Sequence, residues 1–375
     1  MAAPAPPPSP QPPPSPAQNN PLQFPCKQCG AKLDFAPGQT ALKCGYCGYA
    51  EEIPQSAEQI REYDFETFDP TKRGVGWGKE LKPVKCEQCG ALTEIEPQVT
   101  ASTCAFCGSN QVIPREQTQA LMKPESLVPF VIAREKIVDQ FREWIRSLWF
   151  RPNALKEQAR PDAVHGVYIP YWTYDSMTHS FWTAEAGYHY YTTESYTDSQ
   201  GHSRTRQKQH TRWESASGRH SGYFDDVLVA ASKSVDESLV KGLEPFDTKA
   251  LVGYKSEYLA GMVAEDYQFD MKECWPKAKA EIDEQIRQEC SRMVPGDTQR
   301  NLQVRTSYQN RRYKLCLLPI WIASYRYQQK PYRYMVNGQT GKVYGEAPYS
   351  WIKITLTVMA IVAAVIAFLA LQGQQ

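Results

Sequence analysis

Charge of one sign is scarce in this 375-residue sequence: 42 Lys and Arg stand against 41 Asp and Glu, a formal net charge of +1. That balance excludes a globally basic nucleic-acid coat and an acidic disordered chain. No apolar stretch near the N-terminus resembles a signal peptide, and the first charged side chain is Lys27. We therefore expect the 11 Cys to be reduced thiols of the cytosol rather than disulfides.

The motifs of common catalytic sites are also missing. Gly78-Lys79 and Gly341-Lys342 lack the hydroxyl residue that follows Lys in a phosphate-binding loop, so no motor is predicted. None of the six His begins H-E-x-x-H, and no G-x-S-x-G occurs. The sequence therefore predicts a protein that is not an enzyme and shows no evident small-molecule substrate.

Long apolar runs are confined to one place, because the mean hydropathy of −0.54 excludes a polytopic membrane protein. Residues 354–371 carry no charge and would span roughly 27 Å as a helix, which predicts a transmembrane helix over residues 352–371. A buried soluble helix is the less compatible alternative, because every face is apolar. Residues 301–353 hold nine Lys or Arg against Glu346, which predicts a single-pass inner-membrane protein, tail-anchored, with its bulk in the cytoplasm.

Proline is concentrated at the other end of the chain. Residues 1–25 contain 11 of the 28 prolines and no charged side chain, so they have little surface to bury. We expect residues 1–24 to form a disordered tail that acts as a spacer or as a ligand for an aromatic groove.

An internal repeat follows the tail. Four cysteines recur after 60 residues, each set spaced C-x2-C-x14-C-x2-C: Cys26, Cys29, Cys44 and Cys47, then Cys86, Cys89, Cys104 and Cys107. Such spacing is typical of zinc ribbons, in which two tight loops present four thiolates to Zn²⁺. It predicts ribbons at residues 25–50 and 85–114, a linker at residues 51–84, and two structural Zn²⁺ per chain. Disulfides and thioredoxin-type redox pairs are the alternatives, disfavoured by compartment and by the absence of a βαβ pattern.

Glycine follows the second Cys of every pair, at Gly30, Gly48, Gly90 and Gly108. Glycine tolerates the positive φ that lets backbone N–H groups point at sulfur. The loop tips carry Tyr46 in the first ribbon and Phe106 in the second. We interpret both as exposed aromatics suited to a protein partner, or equally to packing between the ribbons. Neither tip is rich in basic residues, so nucleic-acid binding is disfavoured without being excluded.

Residues 121–350 predict a cytosolic α+β domain with an antiparallel sheet. Apolar residues from Ile137 to Trp149 follow one helix face, which Pro152 ends, and residues 278–293 predict a second helix. Aromatic strand patterns cover residues 167–232 and 315–344, the latter with an Asn337-Gly338 hairpin signal. Residues 201–220, with three His and five basic residues, are interpreted as a solvated loop; a lipid patch, a nucleic-acid patch or another metal site are the alternatives.

The combination resembles one family. Tandem CxxCG ribbons precede Val128-Pro129-Phe130, Gly166-Val-Tyr-Ile-Pro-Tyr-Trp172, Leu318-Pro-Ile-Trp321 and Asn337-Gly-Gln-Thr-Gly-Lys342, and an apolar segment ends the chain. This resembles the bacterial tail-anchored TFIIB-type tandem zinc-ribbon membrane proteins of phage-shock-like and SPFH or virion-core-like operons, often labelled primosomal helicase-like. The resemblance covers roughly residues 24–371 and supplies no catalytic residue.

The resemblance implies a membrane-anchored adaptor that recruits a soluble protein partner, of the SPFH, virion-core-like or phage-shock-like kind, in envelope stress. The alternative is a nucleic-acid-binding or helicase-associated ribbon protein. Because such small modules fold around their metal, we also expect loss of one thiolate pair to unfold that ribbon alone.

Overall fold

The structure is a computed structural model that describes residues 24–54, 60–68, 82–95, 104–109, 111–114, 122–158, 161–197, 201–328 and 330–372. The predicted Pro-rich tail lies outside the described residues except for Phe24. The two Cys-rich segments form small antiparallel sheets, as the ribbon interpretation predicts. The first contains β1 (Phe24–Pro25), β2 (Lys32–Ala36), β3 (Ala41–Cys44) and β4 (Ala50–Glu52); the second contains β6 (Lys82–Cys86), β7 (Leu92–Ile95) and β8 (Val112–Pro114).

A central sheet of unusually long strands forms the rest of the head. Five of its strands are β10 (Pro161–Thr197), β11 (Ser203–Ala230), β14 (Thr298–Tyr327), β15 (Lys330–Asn337) and β16 (Val343–Gly345). They lie side by side in the order β11-β10-β14-β15-β16, and each neighbouring pair is antiparallel. Four short strands extend it: β5 (Tyr63–Asp64), β9 (Ser126–Leu127), β12 (Val252–Gly253) and β13 (Val263–Ala264).

The two aromatic segments of the sequence are neighbours in this sheet. Tyr168 of β10 lies opposite Pro319 of β14, and Trp172 lies opposite Leu315. The structure therefore confirms one α+β domain whose sheet is completed by chain from both sides of the intervening helices. Residues 203–220 belong to β11 and pair with β10 along their length, so the interpretation of 201–220 as a loop is wrong.

Five α-helices accompany the sheets in the described residues. They are α1 (Arg134–Ser147), α2 (Asn153–Gln158), α3 (Glu237–Leu243), α4 (Met271–Met293) and α5 (Trp351–Gln372). Helix α4 begins at a capping box. The Asp270 carboxylate accepts a hydrogen bond from the Glu273 N–H, and the Glu273 carboxylate accepts one from the Asp270 N–H. Its buried residues recur at helical spacing from Cys274 to Cys290, so α4 packs one apolar face on the long strands.

Alternation along the strands gives the sheet two buried faces. Tyr168, Leu317 and Trp321 face one side, where a core cluster includes α1 and the first ribbon. Val167, Ile169 and Leu318 face the other side, where a separate cluster includes α3 and the second ribbon. The sheet therefore lies between the two ribbons, and each ribbon shares its core with the head.

The segment predicted as a linker is partly structural. Tyr63 and Asp64 pair with Tyr313 and Arg312 of β14, and Phe65 is buried 6.4 Å from the Tyr174 ring, centroid to centroid. The linker interpretation of residues 51–84 is therefore wrong for these positions, because their aromatic side chains gain burial against the sheet.

Helix α5 contributes no residue to the buried core clusters of the described chain. Residues 351–371 form a 21-residue apolar helix, none of it buried against the rest of the described chain. At 1.5 Å per residue this helix is about 31 Å long, which matches the hydrocarbon thickness of a bilayer. The chain therefore has one C-terminal helix long and apolar enough to cross a membrane.

Candidate metal centres

The first four-Cys cluster is built by two loops of the first ribbon. One loop follows β1 and presents Cys26 and Cys29, and the other begins at Cys44, the last residue of β3, and also presents Cys47. The Sγ atoms of Cys26 and Cys47 lie 3.5 Å apart, and those of Cys29 and Cys44 lie 3.6 Å apart. All four sulfurs lie within 4.8 Å of one another, so a single ion can reach them all.

The second cluster repeats this geometry. The Sγ atoms of Cys86 and Cys107, and those of Cys89 and Cys104, each lie 3.6 Å apart. A disulfide has its sulfurs about 2.05 Å apart, so all eight cysteines are thiols. Four sulfurs at about 2.3 Å from a tetrahedral ion lie about 3.8 Å from one another, close to the separations in both clusters. The residues present thus fit a four-thiolate metal site.

The loops have the backbone that the glycines predict. Gly30, Gly48, Gly90 and Gly108 have φ of +73°, +77°, +79° and +72°, and their N–H groups donate to the carbonyls of the first Cys in each loop. The turn also aims the Cys47 N–H at Cys44 Sγ, 3.5 Å away. That bond holds the pKa of the Cys44 thiol down, at about 6, which favours the thiolate needed by a metal.

Ionisation in the second cluster follows the same logic. A hydrogen bond from the Cys89 thiol lowers the pKa of Cys104 to about 5. The same bond raises the pKa of Cys89 well above its ordinary value. One thiolate in the cluster therefore suppresses ionisation of its neighbour until a cation compensates the charge. Because each ion would have four protein ligands, neither site leaves a coordination position for substrate.

The aromatic residues at the loop tips have opposite environments. The Tyr46 side chain is 87% exposed, as predicted from the sequence. Phe106 is only 2% exposed and belongs to the buried cluster that includes Val128, Val167 and Ile169. The prediction of an exposed Phe106 available to a partner is therefore wrong, because this loop tip packs into the sheet. Phe106 does not join the two ribbons either, since they lie on opposite faces.

A cleft of about 810 Å³ lies beside the second cluster, between its loops and the sheet. Its lining includes Cys89 and Cys107 together with the cationic side chains of Lys233, Arg326 and Arg333. The same lining also holds the carboxylates of Asp236 and Glu346, so cationic and acidic side chains both line this cleft. In the first cluster, Cys29 and Cys47 are exposed to solvent.

Sequence reasoning missed a cluster of carboxylates at the bulge of the long strands. Asp175, Asp225 and Asp226 come within 4.8 Å of one another. The ammonium of Lys314 already lies 2.5 Å from Asp226 and 3.1 Å from Glu62, so a cationic side chain supplies the balancing charge. Burial raises the pKa of Asp175 to about 7. No short sequence motif marks this cluster, because its members are far apart in the chain.

The remaining thiols are structural. Cys274, Cys290 and Cys316 are buried in the core, and none belongs to a metal-compatible group within the described residues. The His residues of 201–220 also belong to no such group there; His210 instead stacks on Tyr190, with ring centroids 5.2 Å apart.

Comparison with known proteins gives one distant likeness. The chain is 27% identical over 339 residues to the uncharacterized protein YdjG of Bacillus subtilis (strain 168), which covers 88% of this chain and 91% of that protein. No family model matches the chain, and no solved structure does so.

Proposed function

We propose that this protein is a membrane-anchored zinc-ribbon adaptor that recruits a soluble protein partner to the cytosolic face of the inner membrane. Each four-Cys cluster holds one structural Zn²⁺, and α5 is a single transmembrane anchor. The observation that carries the proposal is the pairing of two closed four-thiolate clusters with a head that ends in a helix of membrane length.

Zinc is the ion that best suits the ligands. Four thiolates in a tetrahedron favour Zn²⁺ over the hard cations Mg²⁺ and Ca²⁺, which prefer oxygen. The ion supplies folding free energy and no chemistry of its own, because its coordination is complete. The residues of the ribbons then act by presenting a rigid surface.

The first ribbon supplies the surface most suited to a partner. Its loops expose the side chains of Tyr46, Lys27 and Gln28, and Lys27 pairs with Glu51. Tyrosine provides large contact area with few rotatable bonds and is enriched in interface hot spots. We therefore assign the partner contact to the first ribbon and a bracing role to the second.

Anchoring would make a modest contact sufficient. Tethering the head to a membrane confines it with other membrane-bound or membrane-recruited species and raises its effective concentration near them. A partner of the SPFH, virion-core-like or phage-shock-like kind, and a role in envelope stress, agree with the family resemblance of the motifs. The basic residues that precede α5 favour a cytosolic location for the head.

A nucleic-acid function remains the second candidate and has weaker support. Basic residues are exposed along the β10–β11 hairpin, but Arg206 and Lys208 pair with Glu194, and Arg212 pairs with Glu214. Those carboxylates would compete with phosphates for the cations. Binding of a fluorescent oligonucleotide that weakens steeply with added salt would favour this second function over the adaptor.

Site-specific photocrosslinking in cells tests the adaptor proposal. A photoreactive amino acid replaces Tyr46, and a matched variant carries it at Tyr223, which is 57% exposed on β11. We expect membranes of the Tyr46 variant to yield a dominant adduct with one protein, and the Tyr223 variant to lack it. Adding Cys29→Ser to the Tyr46 variant should abolish the adduct. Failure to crosslink at position 46, or the same adduct from both positions, would contradict the proposal.

A further inference from the structure

The first turn of α5 is fastened to the head rather than linked to it by a free segment. The Lys353 ammonium donates to the Trp149 carbonyl (3.1 Å), the Arg151 carbonyl (2.9 Å) and Asn153 Oδ1 (2.7 Å). The Ser350 N–H donates to the Phe150 carbonyl over 2.8 Å. These bonds fix the turn between α1 and α2 at the level where α5 begins.

Aromatic side chains surround this junction and remain in solvent. Trp149 is 69% exposed and Phe150 is 42% exposed, although the sequence places Trp149 on the buried helix face. Helix α1 ends at Ser147, so Trp149 lies on the turn and that prediction is wrong. Tyr349 and Trp351 are 61% and 75% exposed. We call these four residues the juxtamembrane aromatics.

Two cations lie among the juxtamembrane aromatics. The Arg151 guanidinium lies 3.6 Å from the centroid of the Tyr349 ring, and the Lys353 ammonium lies 5.4 Å from that of Trp149. Neither cation has a carboxylate partner within the part of the chain that the structure describes. Large amphipathic aromatics with adjacent cations are the side chains enriched where a membrane protein meets lipid headgroups.

We propose that the α1–α2 turn enters the headgroup region of the bilayer, with Trp149 and Phe150 inserted at its interface and Arg151 and Lys353 at the level of the lipid phosphates. The occupant of this surface is the leaflet in which α5 begins, because the turn is hydrogen-bonded to the first turn of that helix. The inference rests on α5 spanning the membrane, as the proposed function holds.

The consequence is a fixed orientation of the head on the membrane. A tail anchor alone permits the head to swing, whereas insertion of a second element restrains its tilt. Because α1 packs on the same sheet face as the first ribbon, this restraint would also limit the orientations in which that ribbon meets a partner.

Fluorine NMR of the full chain in lipid nanodiscs tests the proposal. The protein is labelled with 5-fluorotryptophan, and the signals of Trp149, Trp351 and Trp213 are assigned by Trp149→Phe, Trp351→Phe and Trp213→Phe. Trp213 lies on β11 and serves as the control distant in sequence from α5. A gadolinium chelate carried on a lipid headgroup then broadens signals near the membrane surface.

We expect the Trp149 and Trp351 signals to lose most of their intensity while the Trp213 signal is retained. Loss at Trp351 with full retention at Trp149 would overturn the insertion and leave the anchor intact. Retention at both positions would contradict the anchor itself. Broadening at Trp149 only after a membrane extract is added would assign the surface to a protein and would likewise overturn the proposal.

Discussion

The two ribbons have the same thiol spacing, but they contact the rest of the head through different parts of the ribbon. The first docks by its hairpin turn, where the Gly38 N–H donates to the Phe130 carbonyl and the Phe35 ring lies 5.4 Å from Tyr258. Cys29, Tyr46 and Cys47 of its metal loops are exposed. The second docks by its metal loop, which buries Phe106 in the sheet. A repeat can thus preserve a four-thiol geometry while its two copies pack differently, which agrees with the proposed roles of the first ribbon as a partner surface and the second as a brace.

Loss of a metal ligand should separate the two roles most strongly. Cys107→Ser and Cys47→Ser remove the same ligand from the second and first ribbon. We expect Cys107→Ser to lower the free energy of unfolding of the head by about 5 kcal/mol, since its loop is part of the core. Cys47→Ser should cost the head less than half of this, because its loop is in solvent.

Denaturant unfolding in detergent, followed by circular dichroism, measures both variants. Each should retain about one Zn²⁺. Equal destabilisation by the two substitutions would contradict unequal roles for the ribbons, as would collapse of the head in Cys47→Ser. The same measurements test whether loss of a ligand unfolds one ribbon alone, and we predict that the second ribbon does not do so because Phe106 lies in a core cluster shared with the sheet.

Truncation of the loop-tip aromatics is the next largest effect. Phe106→Ala should lower the free energy of unfolding by about 3 kcal/mol, because it leaves a cavity in a packed cluster. Tyr46→Ala should change it by less than about 0.5 kcal/mol, because that ring is in solvent. The same denaturant titrations check the pair, and a large loss from Tyr46→Ala would show that the first loop is also packed.

The free energy of unfolding should depend on pH because of Glu265, which directly follows β13 beside the second ribbon. Glu265 is fully buried, its N–H donates to the Tyr168 carbonyl, and it bridges to Thr93 of β7. Burial raises the pKa of Glu265 from 4.5 to about 8. The folded state therefore holds a proton that the unfolded state has lost, so stability falls as pH rises from about 5 to about 8.

Between pH 6 and pH 8 the expected loss is about 2 kcal/mol. Glu265→Gln keeps a neutral group that can accept from Gln268 Nε2, which lies 2.8 Å from Glu265 Oε1, and should flatten this dependence. Free energies of unfolding at several pH values, with Zn²⁺ present throughout, measure the difference. An equally steep profile in the variant would show that another group titrates.

Local patterns predicted what depends on neighbours in sequence. Four thiols and the glycines after them specify each metal loop, and the alternation around Tyr168 and Trp172 predicts a strand. The environment of Phe106 was not predictable in this way, because it is set by Val167 and Ile169, which are about 60 residues further along the chain. Tyr46 and Phe106 occupy the same place in the repeat, so the sequence alone does not distinguish them.

The same limit applies to the linker and to the α1–α2 turn. Phe65 and Tyr63 follow a stretch of polar residues, and only the distant strand β14 explains their packing. Trp149 continues the apolar period of α1, but the helix ends at Ser147 and leaves the ring in solvent. Asn337-Gly338 predicts a tight two-residue hairpin, whereas five residues separate β15 from β16. The buried Asn337 amide instead donates hydrogen bonds to the Leu243 and Pro245 carbonyls.

The kinetics of Zn²⁺ release to a chromogenic chelator test the unequal ribbons most directly. The account predicts two Zn²⁺ per full chain in two phases of equal amplitude. Cys47→Ser should remove the fast phase, because the first cluster has two exposed ligands, and Cys107→Ser should remove the slow phase, which tracks unfolding of the head. A single phase for both ions, the opposite assignment of the phases, or fewer than two Zn²⁺ would contradict it.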